Sequence, residues 1–169
     1  TPATAQVLVQ DKGEKLYRRS LYTFVKRTSP HPSLSAFDAP NREMCITERG
    51  VTNTPLQSLV TLNDPQFAEA ARVFAENLLR DTPDMEDVAR LRAAFERVTS
   101  RPPRTAEVDA LASFLSDEQS RYRSDPSAAQ QIVSVGEWPL ANDVDPVIQA
   151  SWTQVSALLM NLSESLTRH

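Results

Sequence analysis

The placement of proline constrains the fold of this chain more than any other sequence feature. Twelve prolines stand against three glycines, and four of the prolines directly follow a helix-capping residue: Thr54-Pro55, Asp64-Pro65, Asp125-Pro126 and Asp145-Pro146. Such pairs are typical of helix starts, because the capping side chain accepts a first-turn N–H and proline at the first helical position needs no partner. Thr54 with Gln57 adds the Thr-x-x-Gln pattern of a capping box. These pairs predict a chain built from helices.

Apolar periodicity then places those helices. The clearest seam steps by 4, 3, 4, 3 and 4 residues through Ile148, Trp152, Val155, Leu159, Leu162 and Leu166. Shorter seams run through 65–79 (Phe67, Ala70, Phe74, Leu78, with Ala71 and Ala75 beside them), 84–99 (Met85, Val88, Leu91, Phe95, Val98) and 105–122, where Thr105 is the expected cap and Val108, Leu111, Leu115 and Tyr122 form the seam. Leu56, Leu59 and Val60 mark a helix of about two turns before Asp64.

The predicted fold class is therefore all-α, a helical bundle of six or seven helices. The expected helices cover 15–26, 54–63, 65–80, 84–99, 105–123, 126–135 and 146–167, and Gly136 is expected to end the sixth as its C-cap. Residues 1–13 are interpreted as an extension or linker. Residues 14–169 are interpreted as a single helical domain that forms the C-terminal part of a larger protein.

One long stretch, about 28–53, lacks helical periodicity and is rich in turn-forming pairs such as Ser29-Pro30 and Ala39-Pro40. A loop of this length inside a compact domain is either functional or disordered in most proteins. We expect it to be ordered, because burial of its apolar side chains would oppose the entropy of ordering it. The expected anchors are Leu34, Phe37, Met44 and Ile46.

Composition and charge exclude several classes of protein. A net charge of −4 argues against a nucleic-acid binder, which usually carries a basic surface. The apolar run Ala157-Leu158-Leu159-Met160 is far too short for a membrane span. Cys45 is the single cysteine, so the chain has no internal disulfide and no C-x-x-C-H haem attachment motif. We expect Cys45 to be a buried structural thiol.

The candidate polar surface comprises nine residues: Asp38, Arg42, Glu43, Arg49, Asn53, Gln57, Asn63, Asp64 and Gln66. The favoured interpretation is structural, with Asp64 as an N-cap, Gln57 closing the capping box and Asp38 bridging to Arg42. The alternative makes Asp38 and Glu43 an acid and base for glycan hydrolysis. His31 with Cys45 matches neither a tight nucleophile pair nor a metal-ligand spacing, so no catalytic, cofactor-binding or metal residue is assigned.

Several phrases of the sequence form a recognisable group. They are Arg18-Arg19-Ser20-Leu21-Tyr22, Ala36-Phe37-Asp38-Ala39-Pro40-Asn41-Arg42-Glu43, Thr52-Asn53-Thr54-Pro55-Leu56-Gln57, Leu62-Asn63-Asp64-Pro65-Gln66-Phe67 and Arg101-Pro102-Pro103, with Trp152 and Leu159-Met160-Asn161-Leu162 at the end. Together they resemble the planctomycete cytochrome-C-associated C-terminal domain, a family of unknown function. The chain departs from that pattern where Val25 replaces a usual tryptophan and Ser163 a usual acidic residue.

The resemblance implies the C-terminal part of a long exported protein, located in the periplasm or at the cell surface. It implies haem c in an upstream domain. We expect no cofactor in this domain, because it lacks the haem attachment motif and His31 in a proline-rich loop is a poor axial ligand. The implied partners are the upstream domains of the same polypeptide, together with polysaccharide or a redox partner. We interpret the chain as a non-catalytic accessory or interaction domain. The alternative is a glycan-acting hydrolase domain, or a carbohydrate-binding module, that uses the polar residues of 36–66.

Overall fold

The computed structural model of this chain describes residues 12–22, 30–40, 45–48, 50, 52–140 and 143–167. The chain divides into two compact units, Thr1–Thr52 and Asn53–His169. All regular structure in the described ranges is helical, which confirms the predicted all-α class. None of the helices in these ranges has the length and hydropathy of a membrane-spanning segment.

Eight α-helices are present in the described residues. Their bounds are α1 Pro32–Ala36, α2 Pro55–Asn63, α3 Pro65–Asp81, α4 Asp87–Thr99, α5 Thr105–Ser124, α6 Pro126–Val133, α7 Pro146–Met160 and α8 Ser163–Leu166. Two short 3₁₀ helices, Gly13–Tyr17 and Ser20–Tyr22, precede them.

The first unit differs from the prediction. The α-helix expected over 15–26 is wrong in its described part, where Arg18 is extended between the two 3₁₀ helices. Tyr17, Leu21 and Tyr22 are exposed there. A short helix is marginal unless it buries its apolar face, so these exposed side chains explain the loss of regular α-helix. The expected loop over 28–53 contains the one-turn helix α1.

The four helix starts predicted from proline are confirmed. Gln57 N–H donates to Thr54 Oγ1 at 3.4 Å and Thr54 N–H donates to Gln57 Oε1 at 3.2 Å, which is a complete capping box. Asp64, Asp125 and Asp145 each accept a first-turn N–H through one carboxylate oxygen. The predicted cap of α5 is wrong, because Thr105 is already helical. The N-cap is Arg104, whose N–H donates to Glu107 Oε2 at 2.7 Å.

Helix α7 is the centre of the second unit. It packs against α3, α5 and α6 most extensively and also contacts α2, α4 and α8. Its Trp152, Val155 and Leu159 lie in one hydrophobic cluster with residues from α3, α4 and α5: Ala75, Leu78, Leu91, Ala94, Phe95, Leu111 and Leu115. A second cluster joins Tyr122, Ala129, Val133 and Ala150.

Small polar residues allow α7 to be buried on several sides. Ser151, Thr153 and Ser156 are all buried, and each hydroxyl donates to the carbonyl four residues earlier at 2.7 Å. A buried hydroxyl that is already hydrogen-bonded carries little desolvation penalty. The helix therefore needs no polar partner from its neighbours at these positions.

Several details of the predicted seams are wrong. Ile148, Met85 and Val88 are exposed, and α4 starts at Asp87 because Pro83 and Asp84 form a turn. The core face of α3 is Ala71, Ala75 and Leu78, so the predicted Ala70 points outward. The last predicted helix is interrupted after Met160, and α6 ends at Val133 with Ser134 as its cap rather than Gly136.

Candidate functional site

The candidate residues of the first unit are only partly described. Asp38 has a left-handed backbone with φ of 56°, and its Oδ2 accepts hydrogen bonds from Thr52 N–H at 2.8 Å and Thr52 Oγ1 at 2.7 Å. Arg42, Glu43 and Arg49 lie outside the described residues. The expected Asp38–Arg42 bridge and the Asp38–Glu43 acid–base pair therefore stay predictions.

Cys45 is exposed, so the predicted buried thiol is wrong. The described residues that follow Cys45 are exposed as well, through Glu48, so the expected anchor Ile46 is also not buried. Leu34 and Phe37 are half-buried, and Met44 lies outside the described residues. His31 is half-buried at the start of α1. Within the described ranges, no group of three or more His, Cys, Asp or Glu side chains has the geometry to hold a metal ion.

The remaining candidates lie at the start of α2 and at the junction of α2 and α3. Gln57 is buried in the capping box, and Asp64 Oδ1 accepts the Gln66 N–H at 2.9 Å. Asn63 Nδ2 donates to Leu59 O at 2.8 Å, and Asn53 is exposed before the first turn. The predicted capping roles of Gln57 and Asp64 are confirmed. The contacts at this junction stabilise helix ends.

Sequence reasoning missed the orientation of α2. Leu56, Leu59 and Leu62 are 57%, 56% and 51% exposed, while Gln57 and Thr61 are buried. The Thr61 hydroxyl lies 2.8 Å from the side-chain oxygen of Asn161, at the end of α7. A polar contact therefore holds the inner side of α2. The three leucines form an outward surface, called here the α2 leucine face.

The surroundings of the α2 leucine face carry little charge. Between 52 and 68 the only charged residue is Asp64, and its carboxylate caps α3. Interface cores between proteins are depleted of charged residues in the same way. The available sequence signal was this window of 17 residues with a single charge, in a chain that is 24% charged.

A second feature that sequence reasoning missed is a row of alternating charges on α3. Glu69, Arg72, Glu76 and Arg80 follow one another at spacings of 3, 4 and 4 residues. The first three are buried, and Arg72 is fully so. We call these four residues the α3 charge stripe. Their spacing is visible in the sequence, but the same spacing is normal on a solvated helix face.

The first half of the charge stripe binds backbone groups of residues 136–140, called here the strap. Glu69 Oε2 accepts the N–H of Glu137 and, at 3.1 Å, that of Trp138. Arg72 donates to Trp138 O at 2.7 Å and to Pro139 O at 3.5 Å. The two charged side chains together hold both backbone polar groups of Trp138.

The second half of the stripe contacts Asp143, after the strap, and helix α7. Glu76 lies 3.5 Å from Arg72 Nη1 and 2.6 Å from Arg80 Nη1, and it accepts from Gln149 Nε2 on α7 at 3.4 Å. Arg80 makes two bonds to Asp143, at 2.8 and 3.2 Å. The hydrogen bond from Arg80 lowers the pKa of the Asp143 carboxyl below its ordinary value.

Gly136 is the residue that brings the strap close to α3. Its φ is 98°, a backbone conformation that side chains disfavour. A Cβ at this position would overlap the carboxylate of Glu69. Glycine is therefore required here for the approach to Glu69, and not to terminate α6.

Arg101, which follows α4, forms a separate group of ion pairs with residues of α5 and α8. Arg101 donates to both oxygens of Glu107, at 2.7 and 2.9 Å, and to both oxygens of Glu164, at 2.8 and 2.9 Å. Its guanidinium lies 4.7 Å from the ring centre of Phe95. The side-chain bond from Arg101, with the backbone bond from Arg104, lowers the pKa of Glu107 to about 2. These contacts stabilise the fold by fixing the start of α5 to α8.

Comparison with known proteins identifies a family. The family described as PSD1, protein of unknown function (DUF1553), has a model that matches residues 1–115 of the 169. Because the match covers more than half of the chain, the chain belongs to this family. No curated protein and no solved structure matches the chain.

Proposed function

We propose that this member of the DUF1553 family is a non-catalytic accessory domain that binds a protein partner through the α2 leucine face. The observation that carries the proposal is the inverted polarity of α2, which exposes Leu56, Leu59 and Leu62 and buries Gln57 and Thr61. Single exposed leucines are ordinary, but a contiguous apolar face is typical of an interaction site. A helix that lays such a face into an apolar groove is a common recognition mode.

The uses of the charged side chains support a binding role over a catalytic one. Glu69, Arg72, Glu76, Arg90 and Glu118 are buried, and each makes hydrogen bonds or ion pairs within the described part of the chain. Asp38 accepts two bonds from Thr52, while Gln57 and Asp64 cap helices. The glycan-acting alternative over 36–66 therefore draws no support from the contacts of these residues.

The resemblance noted in the sequence extends the proposal to a cellular setting. We place the domain in an exported, multidomain, cytochrome-c-associated protein of the planctomycete type, in the periplasm or at the cell surface. The partner of the α2 leucine face is then an upstream domain of the same polypeptide, and haem c belongs to that upstream part. We assign the binding of polysaccharide or of a redox partner to the whole polypeptide and not to this domain alone.

The test uses the chain and the separately produced upstream polypeptide of the same protein. Leu56→Ser with Leu59→Ser should weaken their association, measured by titration calorimetry, by at least about tenfold, because two central apolar contacts are lost. Val88→Ser is the matched control, since Val88 is an exposed apolar residue on α4. Equal affinity of the double variant and the control would refute docking through α2.

A further inference from the structure

The strap offers a second surface, independent of α2. Trp138 is 49% exposed and Leu140 is 44% exposed, whereas the other tryptophan of the chain, Trp152, is fully buried. The backbone of the strap is nevertheless held by Glu69 and Arg72, which are 5% and 0% exposed. An exposed indole on a backbone fixed by buried charges is an unusual combination.

Burying the charges of Glu69 and Arg72 costs solvation free energy, so we ask what their contacts with the strap provide. Each charged group removed from water loses several kcal/mol of solvation, and well-packed apolar residues often give equal stability. Charged side chains that bind N–H and C=O groups can instead select one backbone conformation. Gly136 contributes to the same conformation. Its backbone would be strained with any other residue, and its lack of a side chain leaves room for the Glu69 carboxylate.

A fixed conformation favours binding by the exposed side chains of the strap. Tryptophan is among the residues most enriched at the energetic centres of protein interfaces. A segment that is already ordered loses less conformational entropy when it binds, so more of the contact energy appears as affinity. Trp138 and Leu140 are therefore displayed as a preorganised apolar pair.

The charges near the strap indicate the partner. The stretch 136–145 contains Glu137, Asp143 and Asp145 and neither lysine nor arginine. The α3 charge stripe adds two carboxylates and two guanidinium groups, one of which pairs with Asp143, so these seven groups together carry a net charge of −3. A partner with basic residues around an apolar pocket would complement these charges. A second copy of the same strap would bring the exposed Glu137 carboxylates of both copies together, which like-charge repulsion opposes.

The backbone contacts disfavour a sugar at this surface. Sugar recognition uses both hydrogen-bond donors and acceptors beside the aromatic ring, and the neighbouring Glu137 carboxylate supplies only acceptors. The N–H groups of Glu137 and Trp138 already donate to Glu69, and Pro139 has no N–H. The neighbouring exposed side chain, Leu140, is aliphatic.

We propose that the strap is a protein-docking site in which Trp138 and Leu140 enter an apolar pocket with a basic rim on the partner. The clamp formed by Glu69 and Arg72 positions the strap without itself contacting the partner.

The probe is a random library of short disulfide-closed peptides, selected against the intact 169-residue chain. Selection should enrich peptides that combine aromatic or aliphatic residues with lysine or arginine. Their affinity should fall at least about tenfold with Trp138→Ala and with Leu140→Ala, and it should weaken as salt is raised. Val88→Ala is the control, an exposed apolar change outside the strap that should leave binding unchanged.

Fluorescence reports whether the variants keep their fold. Trp138→Ala leaves the buried Trp152 as the only tryptophan, so with excitation at the red edge of the tryptophan band the thermal transition of the variant should match the wild-type transition. Iodide should quench the wild-type chain and have little effect on this variant. The proposal would be overturned if selection enriched only neutral or acidic peptides, if it enriched no peptide, or if Trp138→Ala left the binding unchanged. Glycans that bind the chain and are lost with Trp138→Ala would overturn it in favour of a sugar site. Each proposal has its own variants: Leu56→Ser with Leu59→Ser for the α2 leucine face, and Trp138→Ala or Leu140→Ala for the strap. Either proposal can therefore fail without the other.

Discussion

The carboxylate of Glu69 accepts a hydrogen bond from the backbone N–H of Trp138 at 3.1 Å, across 69 residues of sequence. The same oxygen accepts the N–H of Glu137. One buried carboxylate on α3 thus satisfies two successive peptide groups of the strap. A side chain in this position determines the path of the chain between α6 and α7.

Glu69→Ala is expected to destabilise the chain by at least about 1 kcal/mol, because two part-buried N–H groups lose their acceptor and leaving a buried donor unsatisfied costs roughly 1–3 kcal/mol. Urea unfolding measures the change in the free energy of unfolding. Glu96→Ala, at an exposed position on α4, is the matched control and should stay within about 0.5 kcal/mol. A Glu69→Ala effect as small as the control would mean that the strap is not held by this carboxylate.

Gly136→Ala should also destabilise the chain, by more than about 1 kcal/mol, because the residue must adopt a φ of 98° and its Cβ meets the Glu69 carboxylate. Gly50→Ala is the control, since a Cβ added there has open space around it. Thermal melting of both variants gives the comparison. Equal melting temperatures for the two would contradict the close approach of Gly136 to α3.

Leu59 and Leu159 form a matched pair that separates the α2 leucine face from the core. Leu59 is 56% exposed and Leu159 is fully buried. Leu159→Ala should cost about 2–5 kcal/mol through cavity formation. Leu59→Ala should cost less than about 0.5 kcal/mol, as ordinary surface substitutions do. A cost above about 2 kcal/mol at Leu59 would show that α2 is packed the other way round.

The Glu107 carboxyl should make stability depend on acid pH. Its pKa is about 2 in the folded chain, below the ordinary value of 4.5, chiefly because Arg101 donates to it. A lowered folded pKa stabilises the charged folded state above pH 4.5, and this stabilisation is lost as the pH falls towards 2. Urea unfolding at a series of pH values should therefore show that Glu107→Gln is less stable than wild type at neutral pH, and that the difference shrinks below pH 4.5. A difference independent of pH would contradict the Arg101–Glu107 contact.

The helix starts could be predicted because their determinants are local. Thr54 and Asp145 bond to residues two or three positions ahead, so both partners stand together in the sequence. The buried seam of α5 was predictable for the same reason, since Val108, Leu111 and Leu115 share one face of a single helix. Local spacing is enough when a helix has only one side to bury.

The candidate surfaces could not be predicted because their determinants are distant. The orientation of α2 depends on Thr61 meeting Asn161, one hundred residues later. The α3 charge stripe has the spacing of a solvated face, and only the strap turns it into a buried one. The helix expected over 15–26 was wrong for a related reason. Its pattern predicted an apolar face packed against the core, but Leu21 and Tyr22 are exposed.

The position of α7 in the chain has a consequence for the order of folding during synthesis. This helix supplies Trp152, Val155 and Leu159 to the main core, yet among the long helices of the described residues it leaves the ribosome last. Until it emerges, α3 to α6 have no central surface on which to pack, and their apolar faces stay open to water and to other chains. The second unit therefore completes its core only at the end of translation of this segment, and a chain released before residue 146 should be recognised by chaperones or degraded.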